Sequence, residues 1–150
     1  TACSSGNIMK DYKGFDKKDH HFVTKKNNEI LDDLENKVAN IYYIGYPECP
    51  YCTDLVPIFE DVLTELDRTA MYLNPQKDFS QKEIERYSNF MKSLPEKLQS
   101  QGVPFIIVID ESQNIRTFSP AIASTNPGNH QLSESQIDYL KIKLKQVING

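Results

Sequence analysis

Five consecutive apolar residues, Phe105-Ile106-Ile107-Val108-Ile109, limit what this chain can fold into more than any other stretch. The run is rich in β-branched side chains, follows Gly102 and Pro104, and ends at a turn over residues 111–114. It reads as a buried strand, because polar alternation is missing where neither face meets water. Residues 38–44 form a second run of β-branched and aromatic residues, closed by Gly45. Strands of this kind need layers packed against them, and the intervening sequence supplies them.

Residues 21–24 read as a short strand. Asn27 or Asn28 then caps a helix with Ile30, Leu31 and Leu34 on its apolar face. A helix beginning beside Pro50 carries Leu55, Ile58, Phe59, Val62, Leu63 and Leu66 at helical spacing, with Pro57 inside it and expected to bend it. Residues 70–73 form another short strand. Ser80 with Glu83, and Ser133 with Gln136, match the capping-box pattern at the start of two further helices. Ile84, Tyr87 and Met91 line the first, and Ile137, Leu140, Leu144, Val147 and Ile148 the second. Residues 115–118 return antiparallel to the 105–109 strand. The order β-α-β-α-β-α-β-β-α predicts an α/β fold, a mixed central sheet flanked by helices on both faces, over residues 21–150. Residues 1–20 are small, polar and charged, and read as a flexible N-terminal tether. The lysine pairs at 17–18 and 25–26 and the His20-His21 pair read as solvated surface.

A net charge of −4 with dispersed basic residues argues against nucleic acid or an anionic membrane as the main partner. No apolar run approaches the length of a membrane span. Three cysteines in 150 residues are too few for a disulfide-stapled scaffold, so their placement matters more than their number.

Two of them stand in Cys49-Pro50-Tyr51-Cys52, between the 38–44 strand and the helix. A thiol attacks only as thiolate, and a free cysteine with its pKa near ~8.5 is mostly protonated at neutral pH. At a helix N-terminus, unpaired backbone N–H groups and the helix dipole favour a negative sulfur. Pro50 suits the first helical turn, where its missing N–H would have been unpaired. Two intervening residues bring Cys52 one turn on. This predicts Cys49 as the exposed attacking thiol and Cys52 as the buried resolving thiol. Half a zinc site and a purely structural pair are the other readings of such spacing. No second Cys-x-x-Cys accompanies it, and His20, His21 and His130 show no ligand spacing, so no metal or organic cofactor is expected.

With these features in place, residues 20–150 resemble the thioredoxin superfamily. The likeness is carried by the strand leading into Cys49-Pro50-Tyr51-Cys52, by Pro57, by Gly102-Val103-Pro104 before a strand, and by the closing hairpin and helix. The resemblance implies that the Val103–Pro104 bond is cis and packs beside the active-site sulfurs. It also implies that the Val103 backbone is open to an incoming peptide. Pro50 and Tyr51 complete the motif. Two positions depart from the family pattern. Tyr43 stands where a buried aspartate usually handles the resolving cysteine's proton, and Glu48 replaces the tryptophan usual before the first cysteine. Cys-Pro-Tyr-Cys is also common in glutaredoxins, but the glycine-rich stretch that follows the cis-proline there is missing. Residues 41–45 with the motif most resemble thioredoxin-like proteins of Gram-positive bacteria described as bacteriocin transport accessory proteins.

The resemblance implies a thiol–disulfide oxidoreductase that exchanges disulfides with protein thiols and is recharged by an unidentified reductant or oxidant. The alternatives are a glutathione-dependent, glutaredoxin-like reductase and a non-catalytic peptide-binding accessory of a secretion system. Thr1-Ala2-Cys3, followed by Ser4-Ser5-Gly6, resembles the end of a bacterial lipobox. On that reading Cys3 is lipidated and the domain is an extracytoplasmic, membrane-anchored lipoprotein, with the lipid as its only membrane contact. The alternative is a stray cysteine in a flexible arm, compatible with a cytoplasmic protein.

Overall fold

The computed structural model describes residues 7–150. Its elements run β1 (Phe22–Val23), α1 (Asn27–Glu35), β2 (Asn40–Ile44), α2 (Pro50–Leu66), β3 (Ala70–Leu73), α3 (Gln81–Ser93), a 3₁₀ turn (Glu96–Leu98), β4 (Phe105–Ile109), β5 (Ile115–Phe118) and α4 (Glu134–Asn149). The architecture is α/β, with a five-stranded mixed sheet in the order β1-β3-β2-β4-β5. β1, β3 and β2 are parallel, whereas β4 pairs antiparallel with both β2 and β5.

Side-chain alternation on the central strands divides the core into two layers. Ile41, Tyr43, Ile106 and Val108 pack with α2 and α4 residues such as Leu55, Phe59, Leu140 and Leu144. Tyr42, Ile44, Phe105, Ile107 and Ile109 pack on the other side with Ile30 and Leu34 of α1 and Phe90 of α3. β4 is buried along its whole length, as expected for a strand covered on both faces. The second strand is shorter than its apolar run suggests: Val38 lies before β2 and is exposed.

Local details follow the expected chemistry with exceptions. The N-cap of α1 is Lys26 rather than an asparagine, and Glu29 closes onto its backbone N–H. Ser80 and Glu83 cap α3 reciprocally. Ser133 accepts from the Gln136 backbone, but the Gln136 side chain reaches toward Ala121 O instead of back to Ser133. Pro57 sits inside α2, which continues as helix on both sides of it.

The tether reading fails for residues 7–20. Met9, Tyr12 and Phe15 are buried in the α2/α4 layer of the core. Successive turns, with N–H bonds from Tyr12 to Met9 O and from Phe15 to Tyr12 O, point every third side chain inward. The solvated reading of the basic residues beside them is corrected in part as well. Glu60, buried on α2, accepts from His21 N (2.8 Å) and lies 2.8 Å from His21 Nδ1 and 2.9 Å from Lys17 Nζ. His20 Nε2 meets Asn7 Oδ1 at 2.7 Å. This segment is part of the domain. Cys3, the proposed lipid site, lies outside the described residues.

Candidate active site around Cys49 and Cys52

The register Ile44↔Phe105 decides where the chemistry sits. Because β2 and β4 are antiparallel, the loop leaving β2 and the segment entering β4 lie at the same end of the sheet. The first carries the cysteine motif, and the second carries Val103-Pro104. Their peptide bond is cis, as the family resemblance implies. Cys49 Sγ lies 3.8 Å from the Val103 carbonyl oxygen, which can accept its proton.

Cys49 is the N-cap of α2, in extended conformation, and its sulfur accepts from Cys52 N at 3.3 Å. Pro50 occupies the first turn of the helix, and Tyr51 beside it is exposed. Both cysteines are free thiols. Cys49 is 8% exposed and Cys52 is fully buried, so the attacking thiol is less open to solvent than its place at a helix start suggested. Their acidities diverge. The Cys52 side chain hydrogen-bonds Cys49 and, with the Cys52 and Tyr51 backbone N–H groups, outweighs burial and brings the Cys49 thiol down to about 6. The same hydrogen bond, reinforced by burial, pushes the Cys52 thiol far up. One sulfur is therefore poised as nucleophile, and the other keeps its proton.

Two residues that sequence reasoning overlooked complete the setting. Asp54, buried on α2, accepts from Gly128 N (2.9 Å) and His130 N (3.0 Å) and so ties the loop before α4 to the motif helix. Its negative charge opposes thiolate formation at Cys49. Gly128 packs on Pro50, where a Cβ would lie 3.2 Å from the proline ring, and its φ of +87° suits glycine. A charged residue between Thr53 and Leu55, inside an otherwise apolar stretch of helix, was the available signal for Asp54.

The second is Tyr12. Its hydroxyl lies 3.0 Å from that of Tyr43 and donates to that of Tyr72 at 3.2 Å. The spacing Met9-x-x-Tyr12-x-x-Phe15 was its sequence signal. Tyr43 itself is wholly buried on β2, stacked on Tyr72 with centroids 5.5 Å apart. Burial holds its hydroxyl protonated well beyond the usual phenol range. Gly45 has no room for a side chain, because a Cβ there would collide with the Tyr43 hydroxyl and lie 3.1 Å from Cys52 Sγ. The Tyr43 hydroxyl and the Cys52 sulfur thus both border the space under Gly45. Among the described residues, no group of three His, Cys, Asp or Glu side chains comes together in a form that could hold a metal ion.

The chain matches no protein-family model. It is similar to a stretch of the genome polyprotein of ryegrass mosaic virus (isolate Denmark/Danish), with 34% identity over 80 residues, or 47% of this chain. The chain spans only 2% of that polyprotein, and the likeness assigns no activity to the matched stretch.

Proposed function

We propose that the chain is a thioredoxin-like thiol–disulfide oxidoreductase acting on protein substrates through Cys49 and Cys52. The observation that carries this reading is the split in acidity of the pair, with Cys49 brought down to about 6 at the helix start and Cys52 held protonated behind it. The sheet order, the antiparallel β4 and the cis Val103–Pro104 bond beside the sulfur support the thioredoxin-like assignment.

In the reductive direction, Cys49 thiolate attacks one sulfur of a substrate disulfide and expels the other as thiolate. A mixed disulfide between Cys49 and the substrate results. Cys52 then loses its proton and attacks Cys49 Sγ, which releases the second substrate sulfur and leaves a Cys49–Cys52 disulfide. A dithiol reductant returns the pair to its starting state; the oxidative direction runs the same steps in reverse. Beside Val103, a cleft of about 370 Å³ lined by Ile84, Tyr87, Met91 and Gly102 offers apolar contact to a polypeptide. If Cys3 is lipidated, the four residue steps to Asn7 would hold the domain within about 14 Å of the anchor.

Trapping tests the reading. Cys52→Ser leaves Cys49 able to attack but removes the resolving thiol, so reducible adducts with disulfide-containing proteins should accumulate and be absent from Cys49→Ser. Glutathione as the sole adduct would favour the glutaredoxin-like alternative. A folded Cys52→Ser protein that forms no adduct would overturn the exchange reading in favour of peptide binding.

A further inference from the structure

Cys52 must give up its proton before it can attack, yet it is sealed from solvent and no carboxylate occupies the neighbouring β2 position. What does stand beside it is the Tyr43 hydroxyl, sharing the space under Gly45. Beyond Tyr43 the hydroxyls continue in line: Tyr43 to Tyr12 at 3.0 Å, then Tyr12 to Tyr72 at 3.2 Å. Each phenol carries one proton, and Tyr12 donates its own to Tyr72. Tyr12 must therefore accept from Tyr43. Tyr43's proton then points away from Cys52, and its lone pairs are left for the thiol. The Tyr43 and Tyr12 hydroxyls are then both oriented outward from the sulfur.

The outer end is open. Tyr72 lines a cavity of about 330 Å³ together with Asp11, Pro47, Glu48 and Asn74, and both carboxylates are exposed. Glu48, unusual as the residue before Cys49, is thereby a wall of the cavity into which the hydroxyl line leads.

We propose that Tyr43, Tyr12 and Tyr72 form a proton relay that carries the Cys52 proton to the Asp11/Glu48 cavity as the mixed disulfide is resolved. The relay rests on the oxidoreductase reading above. Cys52 passes its proton to Tyr43 Oη as Tyr43 passes its own to Tyr12, Tyr12 to Tyr72, and Tyr72 to a carboxylate or water in the cavity. The freed electron pair on Cys52 forms the bond to Cys49 Sγ. The bond from Cys49 to the substrate sulfur breaks, and its electrons leave with the substrate as thiolate. Every oxygen gains a proton as it loses one, so no phenolate forms, which suits hydroxyls that burial keeps protonated. After the transfer, Tyr43's new proton faces the Cys52 thiolate and holds it by a hydrogen bond until it attacks. Of the three, Tyr43 stands beside the reacting sulfur, sharing with it the space under Gly45. Tyr12 and Tyr72 act through Tyr43 and are positioning residues.

Stopped-flow reaction of the reduced protein with 5,5′-dithiobis(2-nitrobenzoate) separates the steps, because attack by Cys49 and resolution by Cys52 each release one coloured thiolate. Tyr12→Phe and Tyr72→Phe keep the rings, whose centroids are 6.0 Å apart, and remove one hydroxyl each. In either variant the second release should slow by about a hundredfold, at the low end of what a positioned proton-transfer group contributes. The first release should be affected far less. In mixtures of light and heavy water, the second phase of the unmodified protein should show a curved dependence from several moving protons, and the variants should lose that curvature. A folded Tyr12→Phe and a folded Tyr72→Phe that both keep the original second-phase rate and isotope dependence would overturn the relay and leave the exchange reading intact. A single released equivalent from the unmodified protein would instead remove the exchange reading itself.

Discussion

Cys49 and Cys52 share one helical turn, and the hydrogen bond between them moves their acidities in opposite directions. Thiolate is the form that reacts with iodoacetamide, so a lowered acidity constant keeps Cys49 reactive into mild acid. Its alkylation rate should be level above about pH 7, half-maximal near about 6, and fall about tenfold for each unit below. Cys52→Ala removes the strongest of the contacts that hold Cys49 down and should move the midpoint up toward the ordinary cysteine value of about 8.5. An unmoved midpoint would assign the effect to the helix backbone alone. At this scale the sequence was readable where the signal is local. Two residues between cysteines, a proline in the first turn and a proline before a strand can all be seen within a few positions. Tyr12 and Asp54 could not be assigned that way, because their partners lie up to 76 residues away. Nor could the near-complete burial of Cys49 be read in advance.

The motif helix is held from two sides that belong to different parts of the chain. Glu60 fastens the segment entering β1, and Asp54 fastens the loop entering α4. Asp54→Ala leaves the Gly128 and His130 N–H groups without acceptors, at a cost of about 1–3 kcal/mol. Thermal unfolding should show that loss, and amide exchange at the same two residues should quicken. The Cys49 alkylation midpoint should also fall, since a nearby negative charge has gone. Stability lost without faster exchange at those amides would place the role of Asp54 elsewhere. Element order and the mixed sheet were legible because burial on two faces, capping pairs and turn residues leave periodic marks in sequence. Boundaries were less so. Val38 is apolar yet exposed, and Lys26 caps α1 through the Glu29 carboxylate rather than through a side chain of its own.

For the molecule as a whole, the largest departure from the sequence reading is that the segment before β1 contributes to the core. Met9, Tyr12 and Phe15 are each worth about 1.5–3 kcal/mol when buried, against a net stability of about 5–15 kcal/mol for a typical domain. A chain begun at residue 21 would lose all three and the Lys17 partner of Glu60. Circular dichroism should find it melting well below the longer chain, or unfolded at room temperature. A melting point within about 2 °C of the longer chain would show that the domain stands without the segment. Composition concealed this role, because three inward residues are diluted among lysines and aspartates that face water.

Lys13 Nζ donates to Asn129 Oδ1 at 2.7 Å, and His130 Nε2 donates to the Lys13 carbonyl at 2.7 Å, across 116 and 117 residues of sequence. Gly14, at a φ of +75°, lies so close to the His130 ring that a Cβ there would approach it to 2.6 Å. A ribosome makes chain at about 5–20 residues per second, so Lys13 emerges several seconds before its partners exist. During that interval Tyr12 can already reach Tyr43 and Tyr72, but nothing latches the segment from the other side. This segment, made before the rest of the domain, is thus among the last parts of it to be secured, and a nascent chain stalled before residue 129 would present Met9, Tyr12 and Phe15 to chaperones as a loosely held apolar strip.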